Sequence, residues 1–187
     1  MMHFFNVPNM RCLYSPNIVV MGDSRTFVNW NKVMDRNDIV PIRGGQIQNL
    51  LPHVDFVKKL RPKLCLIMVG INDMFWMKTP EKTFNDYKSL IDSLKSDDYQ
   101  IVIQSVLYVA SNKIFYREQN QEVDMLNAML KEYSEKNGII YLDLNTHFEI
   151  NHVLNMAYSS DGVHINRAGY QLWRKQLEPL LGEFDLQ

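Results

Sequence analysis

The chain has 187 residues, of which 46% are hydrophobic and 22% are charged, an ordinary composition for one globular domain. Its formal net charge of -1 provides no electrostatic attraction for nucleic acid or for an anionic membrane surface. No stretch approaches the ~20 apolar residues of a membrane span. The sequence has no basic segment followed by a long apolar one, which is the pattern of a secretory signal. The two cysteines, Cys12 and Cys65, lack metal-ligand spacing and are too few for a disulfide framework. These features predict a cytoplasmic protein.

Strands and helices are predicted in alternation, after an irregular arm over residues 1–16. Apolar runs predict buried strands, and apolar residues three and four positions apart predict helices with one buried face. Pro52 is expected to shift the start of the second helix, and Thr79 with Pro80 is typical of a helix start. Weak patterning over residues 145–158 predicts a loop with a helical turn. The strands cover residues 18–21, 38–42, 63–69, 100–107 and 139–143, and the helices cover residues 26–34, 47–60, 80–95, 118–136 and 166–181.

This alternation predicts an α/β fold, with one domain over residues 1–187 and helices on both faces of a parallel sheet. The expected arrangement is a three-layer, flavodoxin-like sandwich whose five-stranded sheet has the order 2-1-3-4-5. Open parallel sheets bind ligands outside the carboxyl ends of their strands. Polar residues at those positions are therefore the first candidates for chemistry.

Three predicted strands end in small or polar residues that this topology brings to one edge of the sheet. Ser24 follows the first strand within a Gly-Asp-Ser sequence, Gly44 and Gly45 follow the second strand, and Asn72 follows the third. A serine hydroxyl is a weak nucleophile near neutral pH and needs a neighbouring imidazole to accept its proton. Attack on an ester also creates an oxyanion, which rigid N–H donors must stabilise. The candidate donors are the N–H groups of Ser24 and Gly45 and the side-chain amide of Asn72.

A base and its carboxylate partner occur together just before the last predicted helix. Asp161 and His164 are three residues apart, and Gly162 eases the turn between them. A carboxylate on the second imidazole nitrogen fixes the tautomer and stabilises the imidazolium that forms on proton transfer. Each short motif alone is weak evidence, because most such sequences are ordinary turns or caps. Their combination, in order and at strand ends, predicts a serine-type catalytic site.

The ordered motifs resemble the SGNH (GDSL-type) hydrolase family, and the resemblance covers nearly the whole chain. It implies that Ser24 is the nucleophile, His164 the base and Asp161 its orienting carboxylate. Asp143, at the end of the fifth strand, is a rival partner for His164, but the resemblance and the local spacing both favour Asp161. The four blocks that carry the resemblance are Gly22-Asp-Ser24, the glycine turn at Gly44-Gly45, Gly70-Ile-Asn-Asp73 and Asp161-Gly-Val-His164.

The resemblance also implies an oxyanion hole made of Ser24, Gly45 and Asn72. Gly45 is preferred over Gly44 because the family's glycine usually precedes a polar residue that opens the next helix. In this chain that polar residue is Gln46.

Two positions depart from the family pattern. Arg25 follows the nucleophile where a small or aliphatic residue is usual, and Leu107-Tyr108 stands where the family commonly has Leu-Pro. Both are expected to line the substrate side and to affect specificity more than mechanism. The apolar residues at 74–77 could hold an acyl or sugar group or could simply pack.

The remaining histidines predict no metal site, because none has a second ligand at convincing spacing. They are His3, His53, His147 and His152.

The predicted function is hydrolysis of carboxylic esters through an acyl-serine intermediate, without a metal or organic cofactor. The absence of inserted lid domains favours a short acyl group, with acetyl on a carbohydrate as the candidate. One alternative is a lysophospholipase or thioesterase that acts on longer acyl chains. Another is a catalytically silent binding domain with the same fold. The expected partner is a small-molecule ester, with no nucleic acid and no membrane insertion, and the oligomeric state stays open.

Overall fold

The computed structural model describes residues 16–186, so the predicted arm, with Cys12 and His3, lies outside the described residues except for Pro16. Five strands form a parallel sheet: β1 (Ile18–Gly22), β2 (Ile39–Arg43), β3 (Leu64–Met68), β4 (Gln100–Gln104) and β5 (Ile140–Leu142). Their order is β2-β1-β3-β4-β5, which confirms the predicted topology. A separate antiparallel hairpin joins β6 (Glu149–Ile150) to β7 (Val153–Leu154).

Seven α-helices surround this sheet in the described part of the chain. They are α1 (Trp30–Met34), α2 (Val54–Leu60), α3 (Ile71–Phe75), α4 (Pro80–Leu94), α5 (Tyr116–Asn137), α6 (Asn145–Phe148) and α7 (Arg167–Glu183). Crossovers between parallel strands are right-handed, and with this strand order they place α2, α4 and α5 on one face of the sheet. In agreement, α4 packs against both α2 and α5, whereas α1 packs against α7 on the other face.

The centre of the core is formed by β1 and β3, which are paired in register and buried along their whole length. Both strands are continuous apolar runs because each has a helical layer on either face. Their carboxyl ends therefore start from a rigid, desolvated support. Such a support can hold a reactive side chain in one place at the edge of the sheet.

An aromatic cluster fixes the helices that carry the flanking loops. Trp30 of α1 meets Trp173 of α7 edge to face, with ring centroids 5.2 Å apart, and Tyr170 stacks on Trp173 at 6.1 Å. The Trp30 indole N–H also donates to the Thr26 carbonyl at 2.7 Å. Each such aromatic pair contributes about 0.5–1.5 kcal/mol beyond its buried area. The cluster thus ties the chain that follows β1 to the helix that follows Asn166.

Two of the predicted helices are shorter than expected, for local reasons. The helix predicted over residues 26–34 starts only at Trp30, because the side chain of Asn29 caps α1 there by accepting from the Lys32 N–H. The helix predicted over residues 47–60 begins as two 3₁₀ turns, and only α2 is α-helical. Pro52 lies in the second turn, where its missing N–H prevents a continuous α-helix.

Three further differences concern the carboxyl edge of the sheet. The strand predicted to reach residue 107 ends at Gln104, because its neighbour β5 ends at Leu142. Beyond that point a side chain replaces the ladder, since the amide of Asn127 bonds both the N–H and the carbonyl of Val106. The short helix α3 directly after β3 was not predicted, nor was the hairpin within residues 145–158. No helix in residues 16–186 is long and apolar enough to span a membrane.

Candidate active site

Ser24 lies on a tight turn at the carboxyl end of β1. Gly22 makes the turn possible, since a Cβ at that position would lie 2.2 Å from the Met68 carbonyl oxygen of β3. A single 3₁₀ turn begins at Ser24, and the buried Asp23 caps it by accepting from the Arg25 N–H at 2.9 Å. Burial raises the pKa of Asp23, and the neighbouring Arg25 charge opposes that rise. The hydroxyl of half-buried Ser24 is thus presented at the edge of the sheet.

Asp161 and His164 form a hydrogen-bonded pair in the loop before α7. The Asp161 Oδ2 atom lies 2.7 Å from His164 Nδ1, and its Oδ1 atom accepts from the N–H groups of Val163 at 2.9 Å and of His164 at 2.8 Å. Partial burial works to raise the pKa of Asp161, but these hydrogen bonds outweigh it and hold the pKa well below its usual value. An ionised Asp161 only accepts, so Nδ1 carries the imidazole hydrogen and Nε2 of a neutral His164 is left as an acceptor.

The turn after β1 and the loop before α7 are joined by a polar contact between two reactive side chains. His164 Nε2 lies 3.1 Å from Ser24 Oγ, which is within hydrogen-bond reach of a nucleophile and its base. The structure therefore brings Ser24, His164 and Asp161 into one continuous line. The side chains of His164 and Asp161 are 50% and 47% exposed, so this line is open to an incoming molecule.

The two neighbouring glycines after β2 have different hydrogen bonds. The Gly44 N–H donates to the Gly22 carbonyl at 2.7 Å, so it is already used in the sheet. The Gly45 N–H and the Ser24 N–H have no acceptor among residues 16–186. The Asn72 side-chain amide donates one hydrogen to the Gly45 carbonyl at 2.7 Å, which places it against the same turn. Among the two glycines, only Gly45 thus has an N–H that is free to meet a substrate oxygen.

Asp73 holds this glycine turn against α3. Its fully buried carboxylate accepts from the Ile47 N–H at 3.1 Å and from the Lys78 ammonium group at 2.7 Å. Lys78 also bonds Asp86 at 2.9 Å. Because Asn72 precedes Asp73 and Gly45 lies two residues before Ile47, these contacts fix the relative positions of two candidate oxyanion donors. This network was not predicted, because the sequence indicated Asp73 only as part of the Gly70-Ile-Asn-Asp73 motif.

The expectation that Arg25 and Tyr108 line the substrate side is wrong. Arg25 is only 1% exposed, and its guanidinium group bonds backbone carbonyls in the interior. Tyr108 is buried as well, and its hydroxyl donates to Asp124 at 2.5 Å. Adjacent residues on a helical turn do not face the same way, so an exposed hydroxyl at Ser24 sends the next side chain inward.

A second imidazole–carboxylate pair lies apart from Ser24. His152 Nε2 is 2.7 Å from Asp124 Oδ2, and among the described residues the only other polar partner of its ring is Glu149 at 4.0 Å. No hydroxyl in residues 16–186 bonds this imidazole, and the Tyr108 hydroxyl bonds the Asp124 carboxylate instead. The rival carboxylate Asp143 accepts from the Asn145 N–H at 3.0 Å and does not contact His164.

In residues 16–186 no three His, Cys, Asp or Glu side chains are grouped as a metal site. Cys65 is fully buried, and this burial raises the pKa of its thiol to about 12.

Large apolar side chains are exposed in two loops that follow β3 and β4. Trp76 is 76% exposed and Met77 is 90% exposed, just after α3. Ile114 and Phe115 are likewise exposed, just before α5. Met77 and Phe115 have left-handed backbones, with φ of 64° and 58°. Both loops lie at the edge of the sheet where Ser24 is presented.

This parallel sheet, with a hydroxyl, an imidazole and a carboxylate aligned at its carboxyl edge, is the architecture of an ester hydrolase. The model of the GDSL-like lipase/acylhydrolase family matches residues 18–172, and the chain belongs to that family.

Solved structures agree with this fold, and a curated relative matches most of the chain in sequence. A GDSL-like lipase from Bacteroides thetaiotaomicron superposes with a TM-score of 0.77 at 22% identity, covering 90% of this chain and 89% of that one. An acetylxylan esterase from Geobacillus stearothermophilus, solved as a catalytic mutant, gives 0.73 at 16% identity, covering 95% and 98% of the two chains. An N-acylneuraminate cytidylyltransferase from Streptococcus agalactiae is 24% identical over 167 residues, 88% of this chain. The match spans only 38% of the length of that relative.

Proposed function

We propose that Ser24, His164 and Asp161 are a catalytic triad that hydrolyses carboxylic esters through an acyl-serine intermediate. The observation that carries the proposal is the unbroken line of contacts, 3.1 Å from Ser24 Oγ to His164 Nε2 and 2.7 Å from His164 Nδ1 to Asp161. Membership of an acylhydrolase family supports the same reaction class. The reaction requires neither a metal nor an organic cofactor.

Acylation begins when the Ser24 oxygen attacks the ester carbonyl and His164 Nε2 takes its proton. Asp161 stabilises the imidazolium that results, and it holds Nδ1 protonated throughout. The negative oxygen of the tetrahedral intermediate is met by the N–H groups of Ser24 and Gly45 and by the Asn72 amide. Loss of one such donor typically costs about 10²–10³ in rate.

Collapse of the tetrahedral intermediate breaks the bond to the alcohol, and His164 gives its proton to the departing oxygen. Water then enters in place of the alcohol, loses a proton to His164 and attacks the acyl-serine. A second collapse returns the proton to Ser24 and releases the carboxylic acid. The open, half-exposed position of His164 is compatible with both the entry of water and the exit of the alcohol.

The favoured substrate is a short-acyl ester, and the specific candidate is an acetyl ester of a carbohydrate. No inserted lid domain covers the edge of the sheet within residues 16–186, so the structure offers no enclosed tunnel for a long chain there. Two comparison proteins are named for sugars, the acetylxylan esterase and the N-acylneuraminate cytidylyltransferase. Solved forms of that esterase include catalytic mutants in which a serine or an aspartate is replaced by alanine.

The catalytic proposal is tested by measuring hydrolysis of 4-nitrophenyl acetate and labelling by a fluorophosphonate probe. Wild-type protein is expected to do both, and Ser24→Ala is expected to do neither, because the probe reacts only with an activated serine. Ser134→Ala is a matched control, since Ser134 is a buried serine of α5 whose hydroxyl bonds the Leu130 carbonyl of its own helix. Labelling that survives Ser24→Ala would refute this nucleophile. A wild-type chain that turns over no ester would favour the silent binding domain.

A longer acyl chain is the second candidate, and the exposed apolar residues of the two rim loops favour it. Trp76, Met77, Ile114 and Phe115 could contact a lysophospholipid or an acyl thioester. A series of 4-nitrophenyl esters from two to twelve carbons distinguishes the candidates. A maximum in kcat/KM at two to four carbons supports the short-acyl proposal, and a maximum at eight or more overturns it.

A further inference from the structure

The Arg25 side chain is a buried cation next to the proposed nucleophile. Its Nε atom donates to the Val163 carbonyl at 3.0 Å, and its Nη1 and Nη2 atoms donate to the carbonyls of Leu107 at 2.5 Å and Tyr108 at 3.1 Å. Its own backbone carbonyl accepts from the Tyr170 hydroxyl at 2.8 Å. The three partners of the guanidinium group are uncharged backbone carbonyls, whereas the Arg25 N–H bonds the Asp23 carboxylate.

A charge buried beside Ser24 costs desolvation free energy, so its presence there requires a physical explanation. Burial lowers the pKa of Arg25 to about 10, with the charges of Asp23 and Asp161 acting against that shift, so the group stays a cation at neutral pH. A buried charge is weak evidence of stabilisation, since apolar replacements of similar volume are often at least as stable. What a guanidinium group adds is a rigid, planar fork that fixes several acceptors at once.

The three carbonyls belong to segments that must keep their positions relative to Ser24. Val163 directly precedes His164 in the loop that carries the proposed base. Leu107 and Tyr108 continue from β4, at the same edge of the sheet. One side chain therefore links the turn that presents the nucleophile, the loop that presents the base and the segment after β4.

The direct contact between nucleophile and base is a poor restraint by itself. It measures 3.1 Å, and the His164 side chain is half-exposed. Between residues 23–27 and residues 159–166, the described structure has only one other hydrogen bond, from Arg25 to Val163. Asp161 orients the imidazole within its own loop, whereas Arg25 restrains that loop against the turn that carries Ser24.

We propose that Arg25 is a positioning residue that holds His164 in line with Ser24, an inference that rests on the proposed serine mechanism. It acts through the Val163 carbonyl and the segment after β4, and it does not touch the substrate. A displacement of about 1 Å between reacting groups can cost about 10² in rate, so loss of the fork is expected to lower kcat rather than raise KM.

The test compares Arg25→Met, which keeps length without charge, and Arg25→Lys, which keeps charge without the fork. Both are expected to lower kcat for 4-nitrophenyl acetate about 100-fold per folded molecule, with KM within about threefold of wild type. The matched control is Leu130→Ala, which changes a buried core residue in the C-terminal half of α5, the half that precedes β5. It lowers stability but should leave kcat per folded molecule within about twofold of wild type.

Two results would overturn the proposal. One is a raised KM with unchanged kcat, which would return Arg25 to substrate binding. The other is a kcat per folded molecule equal to that of Leu130→Ala, which would leave Arg25 a purely structural role. If both Arg25 variants fail to fold, Tyr170→Phe removes only the hydroxyl bonded to the Arg25 carbonyl and should lower kcat at least threefold. An unchanged kcat in Tyr170→Phe then counts against the proposal.

The proposed triad fails independently of Arg25. If Ser24→Ala retains wild-type turnover, the serine mechanism is refuted whatever the Arg25 variants do. If Ser24→Ala is inactive while Arg25→Met is fully active, only the positioning role is refuted.

Discussion

Replacement of Asp161 by asparagine tests the proposed triad with almost no change in shape. The Oδ1 atom of Asp161 accepts two backbone N–H groups, at 2.9 and 2.8 Å, so the amide oxygen of the new side chain must take that place. Turning the amide around would set its NH₂ group against two donors and leave both unsatisfied, at about 1–3 kcal/mol each. The NH₂ group therefore faces His164 Nδ1, which lies 2.7 Å from the carboxylate in the wild type.

A donor in that position reverses the tautomer of His164. Nδ1 must then accept, the imidazole hydrogen moves to Nε2, and Nε2 points a hydrogen at Ser24 Oγ instead of a lone pair. The base is lost although every heavy atom stays in place. The equivalent change in a serine protease triad lowers kcat about 10⁴-fold, or about 5 kcal/mol of transition-state stabilisation. We expect a loss of about 10³–10⁴ in kcat with KM little changed.

The assay is steady-state hydrolysis of 4-nitrophenyl acetate, with thermal unfolding to show that Asp161→Asn is folded. Asp124→Asn is the matched control, because Asp124 also holds an imidazole at 2.7 Å but no serine lies beyond it. Asp143→Asn tests the rival carboxylate, and both changes should leave kcat within about twofold. The tautomer argument is wrong if Asp161→Asn keeps more than a tenth of wild-type kcat while the kcat of Asp143→Asn falls below a tenth.

Two further predictions concern stability. Gly44→Ala should destabilise the fold by about 1–3 kcal/mol, because the new Cβ would lie 2.7 Å from the buried Leu50 side chain. Gly45→Ala is the control. Its Cβ would meet nothing closer than 3.4 Å, so this variant should unfold in urea like wild type. Asp38→Asn should cost about 1 kcal/mol at pH 7, because a two-point hydrogen bond from Arg36 lowers the pKa of Asp38 below its ordinary value. A lowered pKa stabilises the fold only while the carboxyl is ionised, so urea midpoints of Asp38→Asn and wild type should converge below about pH 4, and a constant difference down to pH 2 would contradict this assignment.

The arrangement of the sheet could be predicted because its signals are local and repeated. The apolar runs of β1 and β3 are buried on both faces, and right-handed crossovers leave few orders for five parallel strands. The position of Ser24 at a strand end followed directly. Helix starts were less predictable. A single cap at Asn29 decided where α1 begins, and Pro52 was expected to shift the start of α2 without indicating by how many residues.

The supports of the candidate site could not be predicted, because they depend on pairs of residues that are distant in sequence. Asp73 bonds the N–H of Ile47, which lies 26 positions earlier in the sequence. Neither local sequence indicates this contact. The pairing of His152 with Asp124 across 28 positions was missed for the same reason. One choice did have a local basis. Strand pairing uses the Gly44 N–H and leaves that of Gly45 free, in keeping with the preference for Gly45 as an oxyanion donor.

The position of Arg25 shows why a residue beside a nucleophile need not face the substrate. A 3₁₀ turn separates successive side chains by about 120°, so Ser24 and Arg25 cannot share one direction. An aliphatic residue at that position would fill the same interior space without a hydrogen bond. This chain instead places there the one side chain that can hold three carbonyls in a plane, one of them adjacent to His164. The departure from the family pattern at Arg25 therefore bears on how the proposed base is held, and the exposed loops around Trp76 and Phe115 are the candidates for substrate specificity.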